Sequence, residues 1–152
     1  MSDKGRQEEI GFKCEVVNLI SSTYCQQLVK EELASPKLDI GIEIDIHEDR
    51  FIPKLKIDAE FVTDLDAEKI KHTLSFVLAG FFSITGVWDK TEMINSAKMF
   101  SLSILWPYAR EYASDVFRRS GYRFPVLPII NAQEVTKQFI ENDKINVKDL
   151  TK

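Results

Sequence analysis

GFFSITG, residues 80–86, marks the point at which the sequence changes from strand patterning to helix patterning. Before it, residues 70–84 form an apolar strand whose second half is apolar on both faces, so both faces must be covered. After it, apolar residues recur at helical spacing through ILWPYARE at 104–111. SGYRFP at 120–125 then ends the segment with a glycine and a proline. This order predicts strands followed by a long helix.

Four strands are predicted before the glycine turn. Residues 10–28 are β-prone, residues 38–47 alternate strictly between aliphatic and polar side chains, and residues 54–61 repeat that alternation. The fourth strand, 70–84, follows a polar connection at 63–69. Strands grouped ahead of helices predict an α+β fold with a four-stranded antiparallel sheet.

The long helix is predicted to begin at a capping-box pattern, Asp89 to Glu92, and to be kinked or broken just before Pro107. Ser101 or Ser103 is suited to cap a second segment. Two apolar stripes follow the helix: Ile94, Ala97, Leu105, Tyr108, Tyr112 and Val116 form one, and Ile104, Trp106, Ala109 and Phe117 form the other. Two stripes suit an oligomer, although a helix in a monomer core can also have them. A short helix is predicted to start at an Asn131 cap.

The composition predicts a single cytoplasmic domain. The chain has 152 residues, 44% of them hydrophobic, and a net charge of −4, which argues against a nucleic-acid partner. No apolar run is long enough to insert into a membrane, and the charged start lacks the apolar segment of a signal peptide. Cys14 and Cys25 are expected to be reduced, buried thiols. Residues 1–9 and 142–152 are expected to be loose tails.

No catalytic residue, metal site or cofactor is predicted. His47 and His72 are the two histidines, and neither has a Cys or Asp partner at ligand spacing. Each is therefore expected to face solvent or to be hydrogen-bonded. Asp39, Glu43 and Asp45 lie on one strand face, where a solvated surface is the favoured interpretation over an acid dyad.

GFFSITG, PYARE at 107–111 and Phe124-Pro125 resemble the matching segments of SecB, a family of cytosolic protein-export chaperones. As an order of elements the resemblance covers residues 12–140. It implies four antiparallel strands, a long helix, a shorter lid helix, and assembly as a dimer of dimers, so a homotetramer is expected. It also implies an ATP-independent holdase for unfolded or nascent polypeptides, which is a binding protein and not an enzyme.

Two groups of site residues follow. By motif position, the family's client grooves correspond to Leu38, Ile40, Ile42, Leu127, Ile129 and Phe139. The alternative is that all six are plain core. The oligomer interface is predicted at Trp106, Tyr108, Arg110, Tyr112 and Val116. A charged pair such as Arg110 and Glu111 on an apolar helix would fix the register between subunits.

The sequence departs from the family where export SecB contacts the translocase ATPase. The family's acidic positions on the outer sheet face correspond to Ser21, Cys25 and Phe76, none of them acidic, and the chain ends KINVKDLTK instead of in an acidic, glutamine-rich tail. Delivery to that ATPase is therefore expected to be weak or absent. General export of preproteins and protection of an antitoxin both remain open as purposes. The rival interpretations are a small-molecule-binding or enzymatic α+β domain using the same groove, and a purely structural oligomer.

Overall fold

The structure is a computed structural model that describes residues 11–29, 37–65, 68–119 and 127–151. Four strands come first, then two helices, then a short final strand. The elements are β1 (Gly11–Val29), β2 (Lys37–Ile46), β3 (Arg50–Leu65), β4 (Glu68–Thr85), α1 (Lys90–Arg119), α2 (Ala132–Glu141) and β5 (Ile145–Asp149).

The strands form one sheet in the order β1-β4-β3-β2-β5. The first four strands of the chain pair antiparallel, which confirms the predicted α+β fold. β5 is a fifth strand that the prediction lacked, and it runs parallel to β2. The predicted loose tail is therefore wrong for Ile145–Asp149, because Ile145 is buried at 6% exposure in the core. The predicted tail at residues 1–9 lies outside the described residues.

Side-chain alternation in β2 and β3 decides which sheet face becomes the core. Ile42, Ile44 and Ile46 lie on the face that the helices cover and are at most 5% exposed. Leu55 and Ile57 on β3 are equally inaccessible. The charged residues between them lie on the outer face and pair across strands: Lys54 with Asp45 at 2.9 Å, Lys71 with Glu60 at 2.8 Å, and Lys148 with Glu43 at 2.5 Å. Burial of the apolar face therefore fixes the register.

β3 and β4 continue beyond their predicted ends. The predicted polar connection at 63–69 is wrong at both its ends, because Asp64 lies opposite Lys69 and Leu65 lies opposite Glu68 in the antiparallel register. Opposite charges directly across a strand pair stabilise the pairing. A polar sequence can therefore extend the sheet here.

α1 is one continuous helix from Lys90 through Pro107 to Arg119. Of the two predicted possibilities, a kink or a break before Pro107, the break is therefore wrong. The predicted second cap does not form, because Ser101 Oγ donates a hydrogen bond to the Ala97 carbonyl within the helix. Buried residues on both sides of the proline hold both halves against the sheet, which offsets the roughly 3 kcal/mol that a helical proline costs.

Two rows of residues at four-residue spacing define the faces of α1. The row on the sheet is buried and consists of Met93, Ala97, Ser101, Leu105, Ala109, Ala113 and Phe117. Small residues in this row allow close approach to β4, where a Cβ on Gly80 would lie 3.1 Å from a Leu105 methyl group. The neighbouring row, called the outer row below, is half-buried or exposed and consists of Phe100, Ile104, Tyr108, Tyr112 and Val116. The two predicted stripes each mixed members of both rows, so that assignment of helix faces is wrong.

α2 begins as predicted. The Asn131 side chain accepts a hydrogen bond from the Glu134 backbone N–H at 3.2 Å, which satisfies one of the free donors of the first turn. Thr136 is the one fully buried residue of α2. The helix ends at Asn142, and Asp143 adopts a left-handed conformation with φ of 52° that turns the chain into β5.

Candidate functional site

Two of the six predicted client residues are core residues. Ile42 and Leu127 are each 5% exposed and belong to the main apolar cluster. Their position matches the plain-core alternative, and a direct role in client binding stays a prediction.

The other four predicted client residues reach the surface. Leu38 and Ile40 at the start of β2 and Phe139 on α2 are half-buried at the edge of the core. Ile129 is 85% exposed, although an isoleucine in water is unfavourable by roughly 1.5–3 kcal/mol relative to a buried one. Among the six, Ile129 is therefore the residue most available to a partner.

Two side chains of α1 hold the segment 127–130 in place. Trp106 Nε1 donates to the Pro128 carbonyl at 3.2 Å, and Arg110 Nε donates to the Leu127 carbonyl at 3.1 Å. Because both bonds are to backbone carbonyls, they fix the path of the segment and leave the side chains of Pro128 and Ile129 exposed. We call residues 127–130 the anchored linker.

β5 connects α2 to the edge of β2. The Lys144 backbone N–H donates to the Phe139 carbonyl at 2.9 Å, and the next residue, Ile145, pairs with Ile42. At the other end of β5, Lys90 of α1 forms an ion pair with Asp149 and lowers the pKa of its carboxyl group to about 2. The lid helix and the second half of β2 are thus connected through β5.

The five predicted interface residues divide into two groups. Trp106, at 4% exposure, and Arg110 both bond the anchored linker within the chain. Tyr108 is 47% exposed, while Tyr112 and Val116 are half-buried in the outer row of α1. The second group presents apolar surface that another subunit could cover, and the interface itself stays a prediction.

An open depression lies on the outer face of α1, lined by Tyr108, Glu111, Tyr112, Ser114, Asp115 and Arg118. Asp115 accepts a hydrogen bond from Arg118 at 2.6 Å and pairs with Arg119, which keeps the pKa of its carboxyl group below the usual range. An ionised, paired acid is unsuited to general acid chemistry at neutral pH. The depression therefore does not favour the enzymatic alternative.

His72 is the centre of a buried polar network. Its Nδ1 lies 2.7 Å from the Tyr24 hydroxyl and its Nε2 lies 2.7 Å from Thr63 Oγ1. The ring stacks on Phe61 at 4.7 Å, and burial lowers the pKa of the imidazole. His72 was predicted either to face solvent or to be hydrogen-bonded, and the structure shows the second. Its bonds join β1, β3 and β4 from within the core.

Three residues, Ser21, Cys25 and Phe76, were predicted to lie on the outer sheet face at positions that are acidic in the family, and two of them do. Ser21 and Cys25 are exposed and lie opposite Val77 and Thr73 of β4. Phe76 is 1% exposed and packs edge-on against Tyr112 at 4.8 Å, so its assignment to the outer face is wrong.

Both cysteines are free thiols at opposite ends of β1. Cys14 is half-buried, and desolvation raises the pKa of its thiol, whereas Cys25 is exposed and contradicts the prediction of two buried thiols. Across the described ranges, no group of three His, Cys, Asp or Glu residues is placed to hold a metal ion. No helix in the part of the chain that the structure describes could cross a membrane.

The sequence interpretation missed β5 and the exposed Phe100 on α1. Ile145 and Val147 alternate with polar residues, which is a strand signal too short to stand alone at five residues. Phe100 is 46% exposed and contacts Phe12 of β1, with the ring centres 5.6 Å apart. Phe100, Ile104, Tyr108, Tyr112 and Val116 recur every four residues, and this spacing was the sequence signal that could have placed Phe100 on the same helix face as the others.

A sheet covered on one face by helices, an anchored linker with an exposed isoleucine and a short final helix define this α+β protein. The family model described as "Preprotein translocase subunit SecB" matches residues 20–142. The chain therefore belongs to the SecB family, which is a family of chaperones.

Solved structures show the same fold. The SecB-like chaperone Rv1957 of Mycobacterium tuberculosis, in complex with a ChAD peptide from the Rv1956 HigA1 antitoxin, superposes with a TM-score of 0.61. The two sequences are 16% identical over 79% of this chain and 90% of that one. No curated protein sequence matches this chain.

Proposed function

We propose that the chain is a cytoplasmic, ATP-independent chaperone that holds unfolded or nascent polypeptides. The observation that carries the proposal is Ile129, which is 85% exposed on a linker whose backbone is fixed by Trp106 and Arg110. A rigid backbone that presents an aliphatic side chain to water is preorganised for an apolar partner, because little ordering remains to be done on binding. Membership of the SecB family supports the same activity.

The proposed client groove runs from the half-buried start of β2 to the anchored linker and α2. In this proposal the half-buried Leu38 and Ile40 supply one wall, the exposed Ile129 the other, and the half-buried Phe139 the lid. Recognition would rest on alternate apolar side chains and on strand hydrogen bonds, which requires an extended client and tolerates many sequences. Folded proteins would not bind, because their apolar residues are already buried.

We further propose that the outer row of α1 is the oligomer interface of a homotetramer. Tyr108, Tyr112 and Val116 present apolar surface beside β1, and Tyr112 also contacts Phe76 of the core. Val116→Asp would place a charge in that interface at a cost of several kcal/mol. Light scattering should then report a smaller particle than the wild-type, whereas a wild-type monomer at micromolar concentration would contradict the interface.

The clients of this chaperone are preproteins, an antitoxin, or both. The antitoxin purpose gains support from the Rv1957 chaperone, which was solved with an antitoxin peptide. Delivery to the translocase ATPase is expected to be weak, because Ser21 and Cys25 stand exposed where the family has acids. Tight, salt-sensitive binding of the purified ATPase would show that expectation to be wrong.

The direct test of the holding function is suppression of aggregation. A chemically unfolded model substrate is diluted into buffer with and without the purified protein, in the absence of nucleotide. We expect light scattering to fall in proportion to the protein added and to be unchanged by ATP. Unchanged scattering at excess protein would contradict the proposal, and suppression only with nucleotide would favour an enzymatic chaperone.

A further inference from the structure

β5 occupies part of the free edge of β2. β2 is bonded to β3 on one side, and on its other side Ile42–Ile46 pair with Ile145–Asp149 of β5. The Leu150 backbone N–H continues this pairing with a 2.7 Å bond to the Ile46 carbonyl. Among the described residues, β5 is the one strand on that side of β2, and its pairing ends at Ile42, short of Lys37–Gly41. The covered and uncovered stretches belong to one continuous strand edge.

The uncovered stretch contains two of the proposed client residues. Leu38 and Ile40 lie on the helix-covered face of β2, in line with Ile42, which contacts the start of β5. An extended client that packs on Leu38 and Ile40 is therefore directed along the same edge that β5 holds. Strand edges are general acceptor sites for extended peptides.

The sequence of β5 shows what this edge accepts. Ile145 is buried at 6% exposure and Val147 is half-buried, two positions apart on one face. On the other face Lys148 pairs with Glu43 at 2.5 Å, and this bond raises the pKa of the lysine ammonium group. The edge thus holds two alternate aliphatic residues and one basic residue in an extended, parallel segment.

β5 is also held lightly enough to leave. It is five residues long, Ile145 is its one fully buried side chain, and Asn146, Lys148 and Asp149 are exposed. Its ion pairs with Glu43 and Lys90 lie on the surface, where such pairs contribute little. The turn before it places Asp143 in the left-handed region, which is uncommon for a residue other than glycine.

We propose that β5 is an intramolecular occupant of the client-binding edge, and that a client segment with two alternate aliphatic residues and a basic residue displaces it. This inference rests on the proposed holding function. β5 closes the edge when no client is present, which protects an apolar strand edge from unwanted pairing. The measured affinity for a client is then the intrinsic affinity reduced by the fraction of molecules in which β5 is released.

The test is a reversible lock on β5. Asp45 and Lys148 are directly paired residues of β2 and β5, so the variant D45C/K148C, made with Cys14→Ser and Cys25→Ser, can be joined by a disulfide within the usual span. Glu43, which would pair with the basic residue of a client, is unchanged in this variant. Affinity for a fluorescently labelled unfolded client is measured by anisotropy in the oxidised and the reduced protein. We expect at least tenfold weaker binding when locked, with recovery on reduction. The matched control is the same serine background without the new cysteines, treated with oxidant and reductant.

The outcomes separate the two proposals. If the control binds the client and the locked protein binds it equally well, β5 is a structural strand and this inference is wrong. If neither the control nor the wild-type protein binds an unfolded client, the holding function fails and the role of β5 fails with it. Thermal unfolding of the locked and reduced forms verifies that both are folded, so a loss of binding cannot be a loss of structure.

Discussion

Ile129→Asp should weaken client binding without disturbing the fold. Ile129 is 85% exposed, so no core contact is lost and the free energy of unfolding should change by less than about 0.5 kcal/mol. A client that fully buries the isoleucine gains roughly 1.5–3 kcal/mol from it, and an aspartate there also has to be desolvated. Since 1.4 kcal/mol is a factor of ten, client affinity should fall at least tenfold.

Val87→Asp is the matched control for this substitution. Val87 is 89% exposed in the turn before α1 and is not part of the proposed groove. The substitution therefore introduces the same charge at an equally exposed aliphatic residue. Affinity is measured by anisotropy with an unfolded labelled client, and thermal unfolding is followed in parallel. Equal affinity for the wild-type, Val87→Asp and Ile129→Asp proteins would refute the placement of clients on the anchored linker.

Leu127→Asp should behave differently from its neighbour. Leu127 is 5% exposed in the core, and its carbonyl accepts a bond from Arg110. A charge there would be buried without a partner, which costs several kcal/mol and lowers stability together with activity. A stable Leu127→Asp protein with normal unfolding would show that the anchored linker is not part of the core.

Three further predictions concern stability. Gly80→Ala should destabilise the protein by about 1–3 kcal/mol in denaturant unfolding, because its Cβ would lie 2.6 Å from the Phe82 ring; an unchanged midpoint would contradict this packing. Trp106→Phe should lose about 0.5–1.5 kcal/mol with the bond to the Pro128 carbonyl and loosen the linker, which limited proteolysis would detect, and equal cleavage rates would argue against it. Burial lowers the pKa of His72, so stability that is present above about pH 6.5 should be lost as the pH falls. The melting temperature of His72→Gln should vary less than that of the wild-type between pH 7.5 and 5.5, and parallel curves would contradict this.

The strands were predictable from the sequence where one face is apolar and the other charged. β2 alternates aliphatic residues with Asp39, Glu43 and Asp45, and this period admits one register against β3. The ends of β3 and β4 were missed because cross-strand charge pairs such as Asp64 with Lys69 extend the sheet, and such pairs cannot be read from a single strand.

The remaining errors have separate physical causes. A proline predicts a helix break from local geometry, yet tertiary packing on both sides of Pro107 keeps α1 continuous. β5 is too short and polar to be recognised before its partner β2 is known to have a free edge. Phe76 lies an even number of residues from Phe82, so side-chain alternation along β4 places both on the core face. The prediction took the position of Phe76 from the family resemblance and did not test it against this alternation.

Of the candidate site, the sequence predicted the participating segments but not their exposure. Ile42 and Ile129 are both isoleucines in apolar contexts, and one is 5% and the other 85% exposed. The difference arises because Ile42 lies on the helix-covered face of the sheet, whereas the linker is fixed through its backbone by Trp106 and Arg110. Long-range contacts of this kind are set by the whole fold.

Amide hydrogen exchange with and without an unfolded client tests the central claim most directly. A client held in the proposed groove should slow exchange in Lys37–Gly41, in the anchored linker and in α2, because these backbone groups become paired or covered. Exchange at Val87, in the exposed turn before α1, should be unchanged. Protection confined to residues outside the proposed groove, or no protection anywhere at saturating client, would contradict the account.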